Sequence, residues 1–345
     1  MTFADEVKNA VTPRAALLVI GVLGLQLLFI ASYVGALHRP KPTDVPFGVV
    51  APRQISAQLL TELKNLPGGP LDPRAVTDAA TAREQILDRR IDGALIVSPR
   101  GTTDTVLVAS GGGTSLATTL TKIITEVDRT QQRTVRSVDL APASNQDFNG
   151  ISSFYLVVGW CVGGYLCASI LAISAGSKPA NRQRAVIRTG VMALYSIVGG
   201  IGGAIIIGPI LGALPGSFWG LSGLGALTVF AVGMITLALQ ALTGIVGIGL
   251  AVLIVVIAGN PSAGGAYPLP MIPDFWRAIG PALPPGAGTW VARSIAYFKG
   301  NAVTGPLLVL SAWAVVGTAV TLLVAMRRTP EKLSGERPPF GSNPA

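Results

Sequence analysis

The sequence has little charge, and the charge that it has is unevenly placed. Only 12% of the 345 residues are Asp, Glu, Lys or Arg, against about 25% in an average soluble domain. From residue 189 to residue 273 the chain contains no Asp, Glu, Lys, Arg or His. A helix in water needs a polar face, whereas a helix in lipid needs about 20 apolar residues and an internally bonded backbone. The missing charge therefore excludes a soluble globular protein and predicts a polytopic α-helical membrane protein.

Histidine and cysteine are almost missing. The one histidine is His38, and the two cysteines are Cys161 and Cys167. A zinc site of the usual type needs three or four His, Cys or carboxylate ligands, so we expect no metal site. Six residues along a helix separate the two cysteines by about 9 Å of rise, which is too far for a disulfide bond.

Motifs of nucleotide-dependent and hydrolytic enzymes are also absent. No G-x-x-x-x-G-K-[ST] occurs, so the chain has no P-loop. The long apolar runs contain no carboxylate for a proton relay. The net charge of +9 is not accompanied by a basic patch interleaved with aromatic residues, which single-strand-binding surfaces use. We therefore expect a protein that is not an enzyme, with no cofactor and no nucleic-acid partner.

What the sequence does contain is a series of apolar runs that predict about six transmembrane helices. The first, residues 15–37, is longer than the apolar core of a signal peptide, which is about 7–15 residues. Cleavage after Val34-Gly35-Ala36 stays open as an alternative. The other spans are predicted over residues 151–174, 190–211, 220–259 and 303–326, where 220–259 makes two spans joined by a tight turn near 240–244.

Residues 38–149 differ in composition and predict an inserted mixed α/β domain. This stretch carries nearly balanced acidic and basic residues, and β-rich runs alternate in it with helical ones. A capping box, Thr81 to Glu84, predicts the start of one helix. The predicted strands cover 47–50, 93–97, 105–108 and 135–140, and the predicted helices cover 55–66, 81–90 and 116–127.

The distribution of basic residues predicts the orientation in the membrane. The short connection 176–189 carries Lys178, Arg182, Arg184 and Arg188 and no acid, and short loops of this kind stay in the cytoplasm. Both termini, including the tail 328–345, are then cytoplasmic, and the α/β domain is extracytoplasmic. Residues 1–14 are predicted to form an amphipathic helix at the cytoplasmic face, with a disordered leader as the alternative.

Residues 260–302 are rich in proline, glycine and aromatic residues. Two short helices, near 275–279 and 290–295, are separated by Pro281 to Gly288, which suits a re-entrant or interfacial segment; an ordinary extracytoplasmic loop is the alternative. We expect the head of Arg293 to reach water at the outer interface. The candidate residues of this segment are Asn260, Pro261, Tyr267, Pro268, Trp276, Arg277, Arg293 and Tyr297.

Three stretches carry a resemblance to a known family. They are GNPSAGGAYP (259–268), IPDFWRAIGP (272–281) and RSIAYFKG (293–300). With one span, a large outer domain and five further spans, the chain resembles the ABC-2-type permease superfamily, and more closely its YhgE/Pip-like and DUF3533 branches. Many members of these branches have a much larger outer domain.

The resemblance implies a permease subunit in the plasma membrane that exports an amphiphilic or lipid-like substrate. It implies a homodimer or heterodimer surrounded by membrane lipid, and a separate nucleotide-binding subunit. The segment 260–302 would cap the translocation path. The alternative is a non-transporting envelope protein, either a surface receptor or a scaffold of a secretion system. The residues that would contact the nucleotide-binding subunit are Phe3, Val7, Lys178, Arg182, Arg184 and Arg188.

Overall fold

The computed structural model describes residues 12–176 and 182–327, and most of them are helical. In chain order the elements are α1 (Pro13–Leu37), β1 (Val45–Val50), α2 (Arg53–Lys64), β2 (Leu71–Ala75), α3 (Ala79–Leu87), β3 (Gly93–Ile96), β4 (Thr103–Val108), α4 (Thr114–Thr130), β5 (Thr134–Asp139), α5 (Ser152–Ala175), α6 (Arg182–Ile205), α7 (Phe218–Thr243), α8 (Val246–Ser262), α9 (Asp274–Ile279), α10 (Pro284–Tyr297) and α11 (Thr304–Met326).

Within these described ranges, five helices are long and apolar enough to cross a membrane: α1, α5, α6 with its extension to Ile210, α7 and α11. A sixth apolar helix, α8, is shorter. At about 1.5 Å per residue it measures about 25 Å, against a hydrocarbon core of about 30 Å. The structure therefore confirms a helical, multi-pass membrane protein, with five full-length candidate spans and one short apolar helix where six spans were expected.

Helix α7 lies at the centre of the bundle. Most of its apolar window, 78%, is buried inside the protein, and α5, α6 and α11 pack around it. Glycine permits the close approaches: a Cβ added to Gly200 of α6 would lie 2.5 Å from the carbonyl oxygen of Ser222 in α7. Small residues at such crossings are typical of helix packing in lipid, where van der Waals contact drives association.

Helix α1 stands at the periphery. Only 6% of its apolar window is buried, and its main neighbour in the bundle is α8, where the Ser32 hydroxyl donates to the Ile257 carbonyl. Most residues of α1 therefore keep exposed apolar surface for lipid or for another subunit.

The inserted α/β domain is confirmed. Its five strands have the order β2-β1-β3-β4-β5, and all neighbours are parallel except β3 and β4. One face of the sheet packs against α2 and α4 around Phe47, Leu63 and Leu120. The other face packs against α3 around Ile86 and Leu107. Two covered faces explain why the central strands β1 and β3 are continuous apolar runs.

The structure corrects several predicted boundaries. Helix α3 begins at Ala79 because Asp78, not Thr81, is its cap: the Asp78 carboxylate accepts a hydrogen bond of 2.8 Å from the Thr81 amide. Strand β2 was not predicted, since it lies at the sheet edge and contains Pro73, a residue that edge strands tolerate. Helix α6 begins at Arg182, so the basic residues of 176–189 lie partly in a helix rather than in a loop.

Candidate functional site

The segment after α8 is folded between the α/β domain and the helical bundle. The amides of Lys41 and Thr43 donate to the carbonyls of Met271 and Pro270 at 3.0 and 2.9 Å, and the Met271 side chain belongs to the apolar core of the domain. The segment thus contacts both the chain just after α1 and the apolar core of the α/β domain.

Helix α10, in contrast to the segment before it, lies inside the helical bundle. It packs against α5, α7 and α11, and most of its residues from Pro284 to Ser294 are buried. A Cβ at Gly288 would lie 2.7 Å from a methyl group of Val157 in α5. This short helix therefore packs among three candidate spans, at the end of the bundle that carries the α/β domain.

A cavity of about 620 Å³ lies between the α/β domain and α10. Its size is within the range of about 300–1,000 Å³ that is usual for small-molecule sites. Most of its wall is apolar. The domain contributes Arg89, Arg90, Asp92, Gly112, Gly113 and Leu116, and the segment before α11 contributes Ala263, Gly264, Pro268, Leu269, Pro270, Trp290, Arg293 and Phe298.

Arg293 is one of the cations that line the cavity. The side chain is only 4% exposed, so the expectation that its head reaches water is wrong. One Nη atom donates to the Gly264 carbonyl at 2.7 Å, and the other donates to the carbonyls of Gly265 and Gly150 at 2.7 and 3.2 Å. Its Nε has no acceptor among the described residues. Arg293 therefore fastens α10 to the segment after α8 and to the exit of the α/β domain.

Arg89 is the second cation, and it comes from the α/β domain. It follows α3 in a left-handed conformation, with φ of +58°. The guanidinium lies over Trp290 with 3.4 Å between Cζ and the ring centroid. Its Nη1 donates to the Trp290 carbonyl at 2.9 Å and to the Ser294 hydroxyl at 2.7 Å. The contact links the domain to α10 at the cavity wall.

Electrostatics at this wall follow from burial. Burial and then the positive charge of Arg293 lower the pKa of Arg89 to about 9, so Arg89 remains a cation at neutral pH. Burial raises the pKa of Asp92 to about 6, against the opposing influence of Arg89. No carboxylate of the described chain lies within 4.0 Å of either Arg89 or Arg293. Arg89 and Arg293 therefore have no close ion-pair partner among the described residues, and the one carboxylate of the wall, Asp92, offsets only part of their positive charge at neutral pH.

A second joint connects the α/β domain to α10. The Tyr297 hydroxyl donates to a carboxylate oxygen of Asp147 at 3.0 Å, and the other oxygen accepts from the Ser152 amide at the start of α5 at 2.9 Å. Gly111 packs on the same tyrosine so closely that a Cβ would lie 2.4 Å from its Cγ atom. Tyr297 is therefore held by the domain and by the first turn of a candidate span together.

The predicted residues of 260–302 do not form one site. Pro268 and Arg293 line the cavity, whereas Tyr267 packs on the core of the α/β domain. Arg277 donates to the Thr43 carbonyl at 3.0 Å and pairs with Asp274.

The remaining candidates lie elsewhere. Trp276 packs edge-to-face on Phe275 in α9, and Tyr297 forms the joint described above. Asn260 and Pro261 are buried at the end of α8, where the Asn260 amide oxygen has no partner among the described residues.

Two residues that build the cavity, Arg89 and Trp290, were not among the predicted site residues. Arg89 reads in the sequence as a surface residue at a helix end, and its contacts with Trp290 and Ser294 are about 200 residues away in the chain. The sequence signal that existed was Trp290, three residues before Arg293 on α10, since aromatic faces attract guanidinium groups.

Three of the residues predicted to contact a nucleotide-binding subunit, Arg182, Arg184 and Arg188, lie at the other end of the bundle, because α5 runs away from the α/β domain and α6 begins at its far end. Arg182 and Arg184 are exposed there. Arg188 is 5% exposed and donates to the Gly176 carbonyl at 2.7 Å, so it closes the end of α5. Phe3, Val7 and Lys178 lie outside the described residues.

Over residues 12–176 and 182–327, no group of three His, Cys, Asp or Glu residues is arranged to hold a metal ion. Comparison with family models, with curated proteins and with solved structures gives no match to this chain.

Proposed function

We propose that this chain is the permease subunit of an ABC-2-type export system, which moves an amphiphilic or lipid-like substrate outward with a separate ATPase subunit. The observation that carries the proposal is the cavity of about 620 Å³ at the junction of the α/β domain and the bundle. An apolar wall with a few fixed polar groups suits a molecule that has an apolar body and a polar head.

The position of the cavity supports transport. Helix α10 contributes Trp290 and Arg293 to the cavity and packs among α5, α7 and α11. The cavity wall also includes Thr304, Gly305 and Pro306, the first turn of α11. The chamber is therefore built by the same helices that form the bundle, and a change in their packing would change its shape.

A packed route runs from the basic end of the bundle to the cavity. Helix α6, which begins at Arg182, packs along α7, and α7 contacts α10. We propose that the ATPase subunit contacts the exposed Arg182 and Arg184, and that α6 and α7 carry its movement to the cavity. In this arrangement both termini are cytoplasmic and the α/β domain is outside the cell, in the plasma membrane.

The exposed apolar surface of α1 supports a dimer. Only 6% of its apolar window is buried within one subunit, and its main contacts in the bundle are with α8. We propose that α1 and α8 form the interface of a homodimer or heterodimer, with lipid covering the rest.

The experiment is to purify the tagged chain from membranes of cells that encode it and to measure vanadate-sensitive ATPase activity. We expect ATPase activity with the wild-type chain and its loss in R182E/R184E, because two charges at the proposed contact are reversed. The control is R53E/R83E, which reverses two exposed charges in the α/β domain and should leave the activity unchanged.

Two results would contradict the permease proposal. One is that no ATPase activity accompanies the correctly inserted wild-type chain. The other is that the activity is the same in R182E/R184E as in the wild type. Either result would favour a non-transporting envelope protein, such as a surface receptor or a secretion scaffold.

A further inference from the structure

We propose that the cavity binds the anionic head of an amphiphile, with Arg89 and Arg293 as the residues that attract the head. The inference rests on the proposed function for the direction in which such a molecule moves, but the binding itself is argued from the cavity's own geometry. A carboxylate or a phosphate ester on an acyl chain is the chemistry that the wall would accept.

The charge of the cavity wall favours an anionic ligand. Arg89, Arg90 and Arg293 line the cavity, and Asp92 is the only carboxylate in its wall among the described residues. Arg90 points outward, with 71% of its side chain exposed, and pairs with Asp88 at 3.2 Å. The inner wall is left with the guanidinium groups of Arg89 and Arg293 and the single carboxylate of Asp92, so its net charge at neutral pH is positive. Placing unpaired cations in a low-dielectric wall is costly unless an anion compensates them.

One edge of the Arg89 guanidinium group has no partner among the described residues. Its face stacks on Trp290, and its Nη1 atom is occupied by the Trp290 carbonyl and the Ser294 hydroxyl. Neither Nε nor Nη2 has an acceptor in the described part of the chain. These two N–H groups point along one side of the planar guanidinium, which is the edge that binds a carboxylate or phosphate in a bidentate manner.

Contacts within the chain hold Arg89 in place before any ligand binds. The Asn301 side-chain amide donates to the Leu87 carbonyl and to the Asp88 carboxylate, both at 3.1 Å, so the end of α3 is fixed to the loop after α10. The Phe298 ring lies on the same guanidinium at 4.9 Å. A cation fixed in this way gives up little conformational entropy on binding.

The rest of the wall accounts for the apolar body. Leu116 of the α/β domain, Pro268, Leu269 and Pro270 of the connecting segment, and Pro306 at the start of α11 all lie in it. A free inorganic anion would leave this apolar surface unused, and a cationic amphiphile would be repelled by Arg89 and Arg293. An anionic amphiphile uses both parts of the cavity.

The test is isothermal titration calorimetry of the full chain in nanodiscs of zwitterionic lipid. The probe is monododecyl phosphate below its aggregation concentration, and the two comparison ligands are inorganic phosphate and dodecyltrimethylammonium. We expect saturable binding of monododecyl phosphate at one site per chain, and much weaker binding of both comparison ligands.

The decisive variant is R89Q, which keeps a polar side chain but shortens it and removes the charge and the guanidinium donors. We expect its affinity for monododecyl phosphate to fall about tenfold or more, as for the loss of a charge-assisted hydrogen-bond pair. The matched control is R83Q, because Arg83 lies exposed on α3 away from the cavity; its affinity should be unchanged. R293Q should also bind weakly, and its thermal unfolding must be measured beside it because Arg293 holds three carbonyls.

Equal affinity in R89Q and the wild type would overturn the proposal, as would equal binding of dodecyltrimethylammonium. If inorganic phosphate bound as tightly as monododecyl phosphate, the proposal that the ligand is an amphiphile would be overturned, and the cavity would be a site for anions in general. Binding that depends on Arg89 without any ATPase activity in the purified chain would uphold this inference and contradict the permease proposal. ATPase activity that depends on Arg182 and Arg184, without binding that depends on Arg89, would support the permease proposal and contradict this inference.

Discussion

The guanidinium of Arg89 lies flat on the indole ring of Trp290, with 3.4 Å between Cζ and the ring centroid. The two residues are about 200 positions apart in the chain, and they belong to the α/β domain and to the helix inserted in the bundle. Their contact therefore makes the domain and the bundle one structural unit around the cavity.

The Arg89–Trp290 contact predicts a loss of docking in W290L. A cation–π contact of this kind contributes about 0.5–2 kcal/mol, and leucine keeps apolar volume without the ring. We expect faster hydrogen–deuterium exchange at the end of α3 and in residues 298–302. W290F keeps a ring under the guanidinium and should exchange nearly as slowly as the wild type. Unchanged exchange in W290L would show that the contact contributes nothing to docking.

The Tyr297–Asp147 bond predicts a destabilised joint in Y297F. The buried carboxylate of Asp147, 3% exposed, would lose one of its donors, and leaving a buried polar group unpaired costs about 1–3 kcal/mol. We expect a lower thermal unfolding midpoint for Y297F in detergent. The control is Y155F, since Tyr155 is 61% exposed on α5. Equal midpoints for the two variants would rule out this role of the hydroxyl.

Asp128 predicts a pH dependence of the α/β domain. Its burial and then the negative charge of Asp104 raise the pKa of Asp128 to about 7, above its ordinary value. The folded state therefore binds a proton that the unfolded state releases between about pH 4 and pH 7. Stability from this group is present at low pH and is lost as pH rises through about 7.

The corresponding experiment measures thermal unfolding of the full chain from pH 4.5 to pH 8. We expect D128N to flatten the decline in stability with rising pH, because asparagine cannot ionise. The control E126Q changes an exposed carboxylate two residues away on α4 and should keep the wild-type slope. An identical slope in D128N would mean that another group causes the pH dependence.

The crossing of α6 and α7 predicts opposite effects for two neighbouring glycines. A Cβ at Gly200 would lie 2.5 Å from backbone atoms of α7, whereas a Cβ at Gly202 meets nothing within 4 Å. We expect G200A to lower the thermal unfolding midpoint by forcing the helices apart. G202A should leave it unchanged or raise it slightly, since alanine favours a helix over glycine by about 0.5–1 kcal/mol. Equal effects of the two changes would refute close packing at Gly200.

The sequence predicted the elements that follow from simple periodicity. The apolar run at 303–326 became α11, which has the length and composition of a membrane span, and the β-rich run at 93–97 became β3, which has those of a buried strand. The stretch 220–259 was resolved into two helices with a turn at Gly244, where φ is +69° and a glycine ends α7.

The candidate site was harder to predict because long-range contacts build it. Arg293 was expected at the water interface, but three carbonyls from distant parts of the chain satisfy its donors inside the protein. Arg89 lines the cavity and contacts Trp290 from a distant part of the chain, and local periodicity carries no signal for such a contact. The proposed family, its ATPase partner and its dimer stay predictions.

The measurement that tests the account most directly is ATP-dependent accumulation of a fluorescent dodecyl phosphate in inverted membrane vesicles that contain the chain. The account predicts accumulation with the wild-type chain and with R83Q, and loss of accumulation with R89Q at equal amounts of inserted protein. Equal accumulation in vesicles with and without the chain would contradict transport, and equal accumulation in R89Q and the wild type would contradict the role given to the cavity.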